Sequence, residues 1–359
     1  MQDPFALAWY GCDWPSGRII AELPGLEPQG PLSRRIGTYT TVAFNLDLSA
    51  RSPDWIGATQ QGRGLLVACM ADVPVWAGIV QPRARGSAST ATVSASTVEG
   101  YLTRRYIPDL TYTATDLATI AAGLLATVQP TVPCLDITST PTGILADRTY
   151  ADSDDKKVLD GLTELNGLDG GPEFTIDPSW SSDRTGFRLT ARVAPRIGST
   201  SADPTANFDY PGPVTDYQQQ ESYEDGKGAT VIRATGAGEG ETRVVSDTLT
   251  SPYVAAGWPV YEYRWSPGSD ITDTDVLNSH AAAALTLMQG GASAWSLTAN
   301  LTEAPVLGTD WSLGDQVRLR VQAGESPGHP DGADVTARCW AWQLDTAAGT
   351  VAPILVEES

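Results

Sequence analysis

Few side chains in this 359-residue sequence are suited to chemistry, and its two histidines set the limits. His280 follows Val276 by four residues and Leu277 by three, on the apolar face of an expected helix, where a packed and hydrogen-bonded imidazole is expected. His329 lies in Glu325-Ser326-Pro327-Gly328-His329-Pro330-Asp331-Gly332-Ala333-Asp334, a run of turn residues that reads as a solvated loop between strands. His329, Asp331 and Asp334 are the one grouping that suggests a metal, but zinc takes three or four protein ligands in a defined array and none is evident. No Gly-x-Ser-x-Gly elbow accompanies either histidine, so a serine triad has no local signature. Cys12, Cys69, Cys134 and Cys339 form no close pair and carry no nucleophile motif. They read as free thiols, with Cys69 and Cys339 inside apolar strand-like runs.

Other features imitate sites. Gly236-Ala237-Gly238-Glu239-Gly240 resembles a phosphate loop in composition, but such a loop needs a helix directly after it. Here a strand, Thr242 to Ser246, is expected, and Glu239 and Glu241 would repel phosphate, so the run reads as a hairpin turn. Asp152, Asp154 and Asp155 supply carboxylates for a glycosidase pair. Their place at the start of an expected helix suits the positive end of its dipole instead. Trp9, Trp14, Trp55, Trp76, Trp258, Trp265 and Trp295 are numerous enough for a sugar platform, but their scatter favours core and interface use. Gly100-Tyr101-Leu102-Thr103-Arg104-Arg105 is too short a basic patch for nucleic acid. No catalytic, cofactor-binding or metal residue is therefore assigned, no cofactor is implied, and an enzyme is not expected.

Charge narrows the partners. Against 23 Lys and Arg stand 43 Asp and Glu, a net charge of −20, which repels phosphate backbones and anionic membranes. Sequence-specific nucleic-acid binding is not expected, nor is stable membrane insertion, because no apolar run approaches the ~20 residues of a membrane span. Met1-Gln2-Asp3-Pro4 lacks the basic and apolar regions of a signal peptide.

The elements that must position these residues are mostly strands. With 41% hydrophobic residues, 18% charged, 35 Gly and 25 Pro, the composition suits short strands and tight turns better than a helical bundle. Strands are expected at 36–46, 65–70, 73–80 and 91–98, the first from its alternation. Leu117, Ile120, Leu124, Leu125 and Val128 mark a helix capped by Thr115 or Thr113, and a second helix runs from near Ser153 to Gly167. Strands at 173–177 and 186–193 complete a small α+β unit. Further strands are expected at 229–236, 242–246, 295–301, 316–321 and 336–344, with a helix at about 272–289 ended by Gly290-Gly291. The fold class is mainly β with an α+β insertion: an N-terminal β-barrel domain (1–100), a two-helix, short-sheet middle domain (101–200) and a C-terminal β-barrel domain (201–359), the barrels small and antiparallel. Gly198 to Thr205 is the best linker.

Several segments carry a resemblance. Val75-Trp76-Ala77-Gly78-Ile79-Val80, then Val98-Glu99-Gly100-Tyr101-Leu102-Thr103-Arg104-Arg105 before an amphipathic helix, resemble the tail-tip (baseplate) hub or minor tail proteins of long-tailed actinobacterial phages. So do Asp155 to Leu165 followed by Phe174-Thr175-Ile176-Asp177, Ala229 to Gly240, and Trp311-Ser312-Leu313-Gly314-Asp315-Gln316-Val317. The resemblance implies tail-tube-like barrels and a homotrimer whose ring continues the tail tube. It also implies partners: a distal tail protein ring, a tape-measure protein, and tail fibre or spike proteins. Its place would be the virion tail tip, and the host cytoplasm during assembly. The competing reading is a tail protein that binds or cleaves host-surface carbohydrate, which would need exposed aromatics beside carboxylates.

Overall fold

The computed structural model describes residues 5–199, 201, 203–268 and 271–357. Strands make up 44% and helices 17%, so the mainly β expectation holds. The first sheet is antiparallel throughout, in the order Ile19–Glu22, Leu7–Asp13, Gly64–Met70, Val73–Ala84, Thr90–Thr97, Thr41–Asp47, Leu26–Pro28. Gly64–Met70 is buried along its whole length, which explains its unbroken apolar composition. Period-2 alternation sends Leu66, Ala68 and Met70 into one core and Leu65, Val67 and Cys69 into another. Ala71 and Asp72, both at positive φ (47° and 67°), turn this strand tightly into Val73–Ala84.

The strand expected from Ile36 begins only at Thr41. Ile36 and Gly37 turn the chain away, and their N–H groups donate to the carbonyls of Trp340 (3.2 Å) and Phe174 (3.0 Å) in distant segments.

In the middle of the chain, helices Leu117–Ala126 and Val158–Asn166 pack together, the first also lying on a sheet ordered Leu135–Ser139, Phe187–Ala194, Glu173–Trp180. Neither threonine caps the first helix. Asp116 does, accepting from the N–H groups of Ala118 (2.9 Å) and Thr119 (3.4 Å), and it also takes the N–H groups of Thr142 (3.2 Å) and Gly143 (2.7 Å). Burial alone would push its pKa up, but those donors and the Thr142 hydroxyl hold it below the usual carboxylate value. Asp116→Ala should therefore cost about 1–2 kcal/mol, the upper range for an N-cap, and Asp116→Asn less, both read from urea unfolding. An equal loss in the two variants would contradict the capping role. The second helix starts later than expected, at Val158. Asp152–Asp154 instead form a 3-10 turn closed by Asp155 at φ 49°, so this acidic cluster precedes the helix rather than opening it.

The last large sheet runs Ala206–Tyr210, Gln316–Val321, Ala333–Asp345, Thr350–Val356, Ala292–Asn300, Val214–Ser222. Its two outermost strands are consecutive in sequence, joined by residues 211–213. Six flat strands would separate them by ~24 Å, whereas that link reaches ~14 Å, so the sheet must curl toward closure. Leu32–Arg35 pairs with Ala333–Asp345, setting Arg34 opposite Trp342, and one buried core continues from Trp9, Phe44 and Trp76 to Trp295, Trp311 and Trp342.

A smaller unit was not expected as such. Leu249–Thr250, Val231–Ala234 and Glu262–Trp265 form a three-stranded sheet under helix Thr274–Met288, around its own core of Ile232, Ala234, Ile271, Leu277 and Ala281. Segment 242–246 is not a strand; Val245 makes one isolated bridge to Thr235. In the expected linker, Thr200 and Ala202 lie outside the described residues, while Gly198 and Ser199 are tied to the turn at Gly314 and Asp315.

Candidate functional site

Strand Glu173–Trp180 alternates between two jobs. Phe174 and Ile176 enter the middle core, while Glu173, Thr175 and Asp177 point the other way. Arg34 arrives against that second side from Leu32–Arg35, its side chain 8% exposed. Its Nη2 donates to Thr175 Oγ1 (2.7 Å) and the Ile176 carbonyl (2.9 Å) and lies 2.8 Å from Asp177 Oδ1. Arg192 Nε holds the other Asp177 oxygen at 2.6 Å. Glu99, on the 3-10 turn Val98–Arg104 and 3% exposed, sits 3.8 Å from Arg34 and accepts the Ile176 N–H at 2.9 Å. A second, bidentate pair joins Glu173 to Arg338 of Ala333–Asp345, and Glu173 also accepts the Ile197 N–H at 2.8 Å. These buried charges tie all three sequence regions to one strand edge.

The two acids at Arg34 differ in what they do. Burial pushes the Glu99 pKa up, and Arg34 offsets this only in part. Burial would raise Asp177 as well, but Arg34 and Arg192 outweigh it and hold its pKa low. Asp177 therefore carries the charge that Arg34 neutralises, as the shorter contact indicates. Arg34, Glu99 and Glu173 each also bond main-chain groups of Ile176 or Ile197, so the arrangement works as a structural lock.

The sequence candidates do not converge. His280 is 1% exposed, and its Nδ1 bonds the Gly167 carbonyl at 2.8 Å, a packed imidazole as expected. His329 lies, as expected, in a largely exposed loop between the strands Gln316–Val321 and Ala333–Asp345, but its ring is half-buried: its nitrogens engage Tyr217 Oη (2.9 Å) and Gln219 Oε1 (3.0 Å), and it packs 5.1 Å from the ring of Trp295. Asp334 pairs with Arg318 (2.6 Å) rather than with His329, and among the described residues no three His, Cys, Asp or Glu gather at a metal-binding position. All four cysteines are free and buried. Burial pushes the Cys69 and Cys134 thiols up to about 12 and raises Cys12 and Cys339 further, so thiolate is scarce. Of the seven tryptophans, Trp9, Trp14, Trp55, Trp76 and Trp295 are buried in cores, Trp265 is half-buried and Trp258 stands 44% exposed. Gly236 to Gly240 folds back as a turn, the Val244 N–H donating to the Ala237 carbonyl at 2.8 Å. Sequence reasoning missed Arg34 and Arg338, though the alternation of Glu173, Thr175 and Asp177 against Phe174 and Ile176 held the signal.

No family model and no curated protein matches the sequence. Solved structures do match the fold. The 43 kDa tail protein of prophage MuSo2 from Shewanella oneidensis superposes with a TM-score of 0.60 at 13% identity, covering 98% of each chain. The tail protein from Neisseria meningitidis MC58 gives 0.54 at 13% identity, over 99% of this chain and 92% of that one. Prophage tail protein gp18 from Listeria monocytogenes EGD-e gives 0.54 at 12% identity, over 97% and 94%. The chain thus has, from end to end, the fold of phage tail proteins.

Proposed function

We propose that this chain is a structural hub subunit of a phage tail tip. Three copies form a ring that continues the tail tube, joining a distal tail protein ring and tape-measure protein on one side to fibre or spike proteins on the other. The observation that carries this reading is the superposition on the Shewanella prophage tail protein, whose fold is shared over 98% of both chains. The buried charge lock supports it, because a ring under mechanical load needs subunits whose parts hold a fixed relation. In this reading residues 1–100 and 201–359 are the barrel domains, 101–200 the middle domain, and the protein is not an enzyme. Some of its 43 acidic residues face the channel, where like charge lets DNA pass without adhering.

Light scattering on the purified chain across a range of concentrations tests the ring. The expected mass is that of three subunits of 38.0 kDa each. A stable dimer at all concentrations would overturn the trimeric reading.

A further inference from the structure

The small sheet beneath helix Thr274–Met288 leaves its other face open, with a cleft of about 460 Å³ there. Arg233, Arg243 and Arg264 line it, together with Thr235. Arg233 and Arg264 are register partners on neighbouring parallel strands, so their side chains leave the same face side by side. Like charges placed this way destabilise a strand pair unless something neutralises them. Among the described residues, Glu262 alone pairs with the three, at 3.2 Å from Arg264 and with both side chains exposed. The Arg243 side chain reaches, among the described residues, only the Gly238 carbonyl, at 3.5 Å, and Arg233 Nε is buried with no hydrogen-bond partner there. A net positive cleft is thus maintained in a chain of charge −20.

The neighbouring surface defines what fits. Glu262–Trp265 is an edge strand, paired on one side only, with Val231–Ala234. Just before it, Trp258, Val260 and Tyr261 are 44%, 58% and 47% exposed, and the Trp258 ring lies 5.1 Å from that of Tyr253. Trp, Tyr and Arg are the residues that dominate binding energy at protein interfaces. A free oxyanion would satisfy the arginines but leave the aromatic row in water, and a nucleic acid would meet the repulsion of the whole chain.

We infer that this edge is the docking site for an extended, carboxylate-rich segment of a neighbouring protein chain. The segment adds as a strand beside Glu262–Trp265, sends acidic side chains into the arginine cleft and lays apolar ones against Trp258 and Tyr261. Arginine forks match carboxylates in bidentate geometry, and alternation of acidic and apolar residues at period 2 is the sequence such a partner would carry.

The test uses the full chain and a fluorescein-labelled peptide of alternating valine and glutamate, with fluorescence anisotropy at low and moderate salt. Binding is expected that weakens with salt, and the doubly reversed variant Arg233→Glu with Arg264→Glu should bind about tenfold more weakly or worse, while keeping its circular dichroism and urea midpoint. The single variant Trp258→Ala, which leaves every arginine in place, should also lose affinity. Equal binding of a peptide with lysine in place of glutamate would overturn the inference. So would displacement of the peptide by millimolar inorganic phosphate with no loss in Trp258→Ala, which would reassign the cleft to a free oxyanion. A wild-type multimer that the double reversal converts to monomers would instead make the occupant a second copy of this chain.

Discussion

Arg34→Met should destabilise the folded chain by about 3–5 kcal/mol, the range for removing one partner from a buried charge cluster. Methionine fills much of the same volume, so the loss reflects charge and hydrogen bonding rather than a cavity. It strands Asp177 with Arg192 alone, leaves Glu99 at 3% exposure without its cation, and orphans the Thr175 hydroxyl and Ile176 carbonyl. Glu99→Gln is the informative contrast. The fold already disfavours the Glu99 charge, since burial raises its pKa, so an uncharged isostere that can still accept the Ile176 N–H should cost under about 1 kcal/mol. Urea unfolding of both variants separates the two expectations, and equal losses would mean that Arg34 is not the keystone.

The pH dependence follows in sign. Asp177, with its folded pKa held low, contributes stability that is present above its unfolded value and is lost as pH falls through the folded one. Glu99, with its folded pKa raised, acts oppositely: it costs stability as pH rises from the unfolded value through the folded one. Removing Arg34 raises both folded pKa values, so the variant binds protons more readily than the wild type. Its deficit should be greatest at and above neutral pH and should shrink in acid, as the two stranded carboxylates become neutral. A deficit constant from neutral pH into acid would show that the lost interactions are not electrostatic.

How much of this was legible in sequence depended on where each strand's partner lies. Phe187–Ala194 and Gln316–Val321 alternate cleanly because one face of each meets a core, and Gly64–Met70 reads as an apolar run because both faces do. Val214–Ser222 was silent, since its sequence is largely polar and it forms the outer strand of its sheet with few buried positions. Leu32–Arg35 was silent for another reason. Four residues carrying two arginines give no period to read, and their partner, Leu344 to Ala341, lies some three hundred residues away. The lock was half visible for the same cause: its acids sit on an alternating strand, whereas its cations come from elsewhere. The loop around His329 was legible, but its ring contacts were not, because Tyr217, Gln219 and Trp295 belong to strands distant in sequence.

The Leu313-Gly314-Asp315 segment shows how a short motif acquires a physical meaning, and it carries the other large expected effect. Gly198 and Gly314 face each other with φ of 97° and 92°, and a Cβ on Gly314 would lie 2.3 Å from the Ile197 carbonyl oxygen. Asp315 completes the turn, accepting the N–H groups of Ser199 and Ser312, each at 2.8 Å, while its own carbonyl accepts the Cys339 N–H at 2.9 Å. The chain leaving the middle sheet is thereby clamped to the last sheet at Gly198 and Ser199, where the expected linker begins. Gly314→Ala should cost more than about 3 kcal/mol, because left-handed strain adds to a backbone clash that no rotamer relieves. Gly324→Ala isolates the strain: its φ is 82°, but a Cβ there would meet nothing within 4 Å, so about 1 kcal/mol is expected. Asp315→Ala, which removes the clamp without a clash, should fall between them at about 1–3 kcal/mol. Comparable urea midpoints for Gly314→Ala and Gly324→Ala would show that the close approach of the two backbones does not hold the junction. The expected order would instead establish that a pair of glycines, with one aspartate, sets how the middle of the chain joins its last barrel.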